Sequence, residues 1–94
     1  MSDSQTYNNV TAAILAYVET TSNKEHGTVY APPSPATAGT ATTHTVVGTV
    51  ALSFSLDTTN NSLTYSILSK PGIVSDSEIW NGGEGTLKSC GWSG

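Results

Sequence analysis

Apolar residues recur along this chain first at a helical period, then at a strand period, and the switch between the two outlines the fold. Between positions 9 and 19, Val10, Ala13, Ile14, Tyr17 and Val18 stand three and four apart, with Ala12 and Leu15 widening the stripe. This spacing predicts an amphipathic helix of about three turns. Asn8 or Asn9 is expected to cap its start, and Thr20-Thr21-Ser22-Asn23 continues a helix poorly and is expected to end it. A strand is the alternative for the β-branched part.

Gly27-Thr28-Val29-Tyr30-Ala31 reads as a short strand stopped by Pro32-Pro33 and Pro35, with residues 32–42 expected to form a surface loop. Strict alternation follows. Val46, Val50, Leu52, Phe54 and Leu56 interleave with Val47, Thr49, Ala51, Ser53 and Ser55, and Leu63, Tyr65 and Ile67 interleave with Thr64 and Ser66. Between the two runs, residues 57–62 are turn formers, and asparagine tolerates left-handed backbone angles. A hairpin with Leu56 opposite Leu63, Phe54 opposite Tyr65 and Leu52 opposite Ile67 places all six on one side. Ser69-Lys70-Pro71-Gly72 signals a turn, Ile73-Val74 is expected to open a short strand, and residues 86–92 are expected to close the sheet. The predicted architecture is α+β. It is a single small domain over residues 1–94, an antiparallel sheet with one N-terminal amphipathic helix on one face and a Ser/Thr-rich face left open.

Composition narrows the function. At 94 residues there is room for one core, and Cys90 is the only cysteine, so no internal disulfide reinforces it. A homodimer is expected to supply part of the missing stability. The N-terminal residues lack the basic start and apolar run of a secretory signal, and no segment has the length of a membrane span. The expected location is cytoplasmic, with the sequons at Asn9 and Asn60 unmodified. Three lysines, no arginine and seven acids give a net charge of -4. That balance excludes nucleic acid and anionic membranes as partners, because both demand clustered positive charge.

The densest chemistry lies in Ser75-Asp76-Ser77-Glu78-Ile79-Trp80-Asn81-Gly82-Gly83-Glu84-Gly85. Read as a strand, it projects Asp76 and Glu78 to one face at roughly 6 to 7 Å, a spacing a glycosidase could use. A chain this short offers little wall for a deep catalytic cleft, so no catalytic residue is assigned and the protein is not expected to be an enzyme. Cys90 with His26 or His44 lacks a nucleophile signature. No metal-ligand spacing occurs, and Gly82-Gly83 and Gly85 lack the Lys-Ser/Thr of a phosphate loop, so neither metal nor cofactor is expected. What remains is recognition of a ligand that is polar with an apolar face, as a sugar is. Trp80 would carry the apolar face, Asp76 or Glu78 would accept from hydroxyls, Asn81 would both donate and accept, and Gly82 and Gly83 would let backbone approach. His26, Tyr30 and Lys24 are candidates from across the sheet, and Trp92 is expected to pack or to form an interface.

The start without a signal, the cysteine-poor Thr/Ser-rich body and the segment from Glu78 to Gly85 together resemble small cytosolic lectins of mushroom fruiting bodies. The resemblance implies a non-enzymatic, dimeric lectin that recognises terminal α-linked galactose and acts in defence against animals feeding on the fungus. A second likeness, from Gly48-Thr49-Val50 to Ser62-Leu63-Thr64-Tyr65, is to the strand pair of the extracellular CHRD domain. That family carries Ala-His-Ile-His where this chain has Ser77-Glu78-Ile79-Trp80. The competing function is a cytosolic interaction protein, such as a protease inhibitor, using residues 31–42 as its exposed loop.

Overall fold

The computed structural model describes residues 4–33 and 36–93. Pro35 and the first three residues of the N-terminal stretch lie outside them. Five strands and two helices follow in the order β1 (Ser4–Tyr7), α1 (Ala12–His26), β2 (Val29–Ala31), β3 (Ala38–Thr45), β4 (Gly48–Asp57), β5 (Ser62–Ser69) and α2 (Asp76–Ser89). The strands form one sheet in the order β1-β5-β4-β3-β2, antiparallel throughout. The domain is α+β, with two helices where the hydrophobic pattern predicts one.

The β4–β5 hairpin has the predicted register, with Leu56 opposite Leu63, Phe54 opposite Tyr65 and Leu52 opposite Ile67. Its turn is held from within. The Asp57 carboxylate accepts from the backbone N–H groups of Thr59 and Asn60 and from the Asn60 side chain, and Asn61 takes a left-handed φ of 53°. Those bonds to the charged form, the Asn60 side chain first, hold the Asp57 carboxyl below its usual range.

The register carries across the sheet. Tyr7 lies opposite Leu63, Ala41 opposite Leu52 and Tyr30 opposite Ala41. One face is therefore apolar and aromatic, and the other is rich in Ser and Thr. On the latter, Ser4 Oγ meets Ser66 Oγ at 2.8 Å and Thr6 Oγ1 meets Thr64 Oγ1 at 2.9 Å.

Four elements differ from the pattern reading, each for a physical reason. β1 is a polar tetrapeptide whose only buried side chain is Tyr7, so its pairing is not written in alternation. β3 occupies residues 38–45, part of the expected loop, because its side chains are small and leave no hydrophobic period. At Gly39 a Cβ would come within 2.7 Å of Pro32 Cδ, so the close approach of β2 and β3 requires glycine. Val46 and Val47 form the β3–β4 turn, with Val46 fully exposed, rather than beginning a strand. Residues 73–74 are a turn and residues 86–89 are helical, so neither adds a strand.

Helix α1 begins at Thr11, whose hydroxyl accepts from the Ile14 N–H at 3.2 Å, and it runs through Thr20-Thr21-Ser22-Asn23 to a left-handed Gly27 cap. Burial outweighs the weak propensity of those four residues: Leu15, Val18 and Ser22, at i, i+3 and i+7, are buried, whereas Tyr17, expected in the apolar stripe, is 66% exposed. Leu15 and Val18 from α1 and Leu87 from α2 meet Tyr7, Phe54, Leu56, Leu63 and Tyr65 in one core. Both helices thus cover the apolar face of the sheet. Neither helix is long and apolar enough to cross a membrane.

Candidate functional site

The segment 75–85 opens helix α2 rather than a strand, and the signal is local. Ser75-x-x-Glu78 is a capping box: Ser75 Oγ accepts from the Glu78 N–H at 3.2 Å, and Glu78 Oε1 accepts from the Ser75 N–H at 3.2 Å. Asp76 and Glu78 in the first turn and Lys88 in the last complement the helix dipole. At about 100° per residue, Asp76 and Glu78 lie roughly 200° apart around the helix. The expectation that they share one face is overturned.

The helices meet where the Cys90 thiol donates to Thr21 Oγ1 at 3.4 Å. Between α1, α2 and the sheet lies a cleft of about 350 Å³. Its lining is graded. Tyr7, Val18, Ser22, Ala41, Tyr65 and Thr86 are buried, whereas His26, Thr45, Val47, Glu78 and Gly82 are exposed and mark the mouth.

The cleft exists because small residues face it from both sides. Helix α2 presents Ile79, Gly82, Gly83 and Thr86, at i, i+3, i+4 and i+7. Two glycines in a helix interior cost about 1 kcal/mol each relative to alanine. Packing does not demand them: a Cβ on Gly82 would meet nothing within 4 Å, and one on Gly83 only the Tyr7 hydroxyl at 3.9 Å. The sheet contributes Ala41, Thr43 and Thr45. Larger side chains at these positions would fill the space.

Inside, the polar atoms pair with one another. The Tyr30 and Tyr65 hydroxyls are 2.6 Å apart, as are the Thr28 and Thr43 hydroxyls. Burial pushes the Tyr30 hydroxyl up to about 12 and Tyr65 further, the latter reinforced by its proximity to Tyr30. Tyr7, raised to about 12 by burial and then by the Glu84 charge, donates to the Trp80 carbonyl at 3.5 Å. All three phenols are neutral across the physiological range.

Of the six residues expected to bind ligand, Glu78, Trp80, Gly82 and Gly83 line the cleft, and Asp76 and Asn81 do not. Asp76 instead pairs with Lys70 at 3.6 Å, and Asn81 is exposed. Of the three candidates from across the sheet, His26 and Tyr30 line the cleft and Lys24 does not. Trp92 packs edge-on against Tyr7 at 5.6 Å between ring centroids, and its Nε1 donates to the Asn8 carbonyl at 2.6 Å. The pattern reading missed Tyr7, Thr43, Thr45 and Thr86. Only the capping box offered a signal, since it would have set the helical phase that puts Thr86 beside Gly82 and Gly83. Among the described residues, no group of three or more His, Cys, Asp or Glu side chains is placed to hold a metal ion.

No family model, curated protein or solved structure matches the chain. The chemistry of the site rests on the residues of the cleft alone. That lining has aromatic walls, neutral hydroxyls inside, and one carboxylate and one imidazole at its mouth, the mixture of apolar surface and a few polar groups common in small-molecule sites.

Proposed function

We propose that this protein is a lectin whose cleft receives a terminal galactosyl unit, with α-linked galactose the preferred form. The observation that carries the reading is the Ile79-Gly82-Gly83-Thr86 face of α2, where about 2 kcal/mol of helix stability is forgone in favour of open space. A cavity kept open at that cost supports a binding role. In this reading Glu78 uses Oε1 for the helix cap and Oε2 to accept from a sugar hydroxyl, while His26 and Thr45 meet other hydroxyls at the mouth. The Trp80 ring gives the apolar face of the sugar a wall. Asp76, held by Lys70, and Asn81 leave the ligand set.

The resemblance to small cytosolic mushroom lectins implies the rest of the proposal: a non-catalytic, cytoplasmic, homodimeric protein in a defence role. Two sites on one dimer gain avidity when both reach one glycan-bearing surface. The alternative, an interaction protein such as a protease inhibitor, loses much of its loop, because residues 38–42 are paired in β3. A glycan array tests the proposal. Retention of α-galactosyl glycans is the expected result, and an array without any bound glycan would sink it.

A further inference from the structure

The cleft is more divided than a sugar alone requires. Its mouth carries His26, Thr45 and Glu78, whereas its interior is walled by Val18, Tyr30, Leu52 and Tyr65. The polar atoms of that interior are engaged with one another: Tyr30 bonds Tyr65, and Thr28 bonds Thr43, each at 2.6 Å. Each pair leaves one O–H to offer, fewer than the several hydroxyls of a sugar ring need, so a sugar pushed inward would bury hydroxyls without partners, which is unfavourable. The volume, about 350 Å³, falls in the range of roughly 300 to 1,000 Å³ typical of sites for drug-sized ligands, leaving room beyond a single sugar ring.

We infer that the natural ligand is an amphipathic glycoside, its galactosyl head at the mouth of the cleft and an apolar, ring-sized aglycone in the chamber between Val18, Leu52 and Tyr65. This assignment rests on the galactosyl reading of the same cleft. The aglycone displaces water from apolar walls, and the head supplies the hydrogen bonds that the mouth can answer. Gly83, half-buried where Gly82 is exposed at the mouth, then serves the chamber: without a side chain there an aromatic or alkyl group can pass beneath α2.

Titration calorimetry with methyl α-galactoside, para-nitrophenyl α-galactoside and free para-nitrophenol tests it on the wild-type protein. The aryl galactoside is expected to bind at least about tenfold more tightly than the methyl galactoside, a difference of about 1.4 kcal/mol. Gly83→Leu, or the milder Gly83→Ala, is expected to shrink that ratio by narrowing the chamber. Equal affinity of the two galactosides in the wild type overturns the aglycone chamber while leaving the galactosyl reading standing. Binding of para-nitrophenol with no response to either galactoside overturns the galactosyl reading, and the glycoside assignment with it.

Discussion

Replacing Gly82 and Gly83 with alanine should make this protein more stable and a poorer binder. Both lie in the interior of α2, and neither site clashes with an added Cβ: nothing stands within 4 Å at Gly82, and only the Tyr7 hydroxyl, at 3.9 Å, at Gly83. Glycine to alanine in a helix interior gains about 1 kcal/mol per site, partly through the unfolded chain, so the pair should gain about 2 kcal/mol. For a domain of this size each kcal/mol raises Tm by roughly 4 to 8 °C, which puts the expected rise at about 8 to 16 °C. Gly85→Ala is the internal control. A Cβ there also meets nothing within 4 Å, but Gly85 does not line the cleft. It should stabilise by about 1 kcal/mol and leave binding alone. Thermal unfolding followed by circular dichroism, paired with galactoside titration, reads both effects. If the double variant melts lower than wild type, or melts higher with undiminished binding, the claim that these glycines keep a binding cleft open is wrong.

Three further outcomes follow from the same geometry. Ser75→Ala removes the hydroxyl of the capping box and should cost about 1 kcal/mol, seen as a lower urea midpoint with an unchanged m-value. Tyr30→Phe and Tyr65→Phe should each lower stability in urea unfolding. Each hydroxyl loses its partner when the other is replaced, and an unpaired buried hydroxyl costs about 1 to 3 kcal/mol. Raised phenol values also set an alkaline limit. The unfolded chain ionises Tyr30 near pH 10 and the folded chain near 12, so this contribution is full below about pH 10 and is lost as pH rises towards 12. Unfolding free energies measured up to about pH 12 should fall with a slope near 1.4 kcal/mol per pH unit for each buried tyrosine, and a flat profile would contradict the burial of the pair.

What the sequence made legible were the elements with large apolar side chains. The β4–β5 register could be read because Leu52, Phe54 and Leu56 meet Ile67, Tyr65 and Leu63 on one buried face, and a slip by one residue would expose all six. β3 and β1 were hidden for the opposite reason: Ala41, Thr43 and Thr45 are small or polar, and their strand character comes from β4 beside them. α2 was obscured by its glycines, which argue against a helix by propensity, although Ser75-x-x-Glu78 announced one. The candidate site was half legible. Glu78, Trp80, Gly82 and Gly83 fall within the segment marked by composition, but the facing wall of Tyr65, Ala41, Thr43 and Thr45 is assembled only by the sheet. Asp76 was put on the face of Glu78 because residues two apart share a face in a strand, whereas in a helix they lie on opposite sides.

Chemical-shift mapping of backbone amides during titration with an α-galactoside tests the central claim most directly. The account predicts saturable shifts concentrated at Thr43, Thr45, Glu78, Trp80, Gly82 and Gly83 around the cleft. An unchanged spectrum at high ligand concentration, or shifts gathered on the Ser/Thr face at Ser53, Ser55, Thr64 and Ser66, would contradict it.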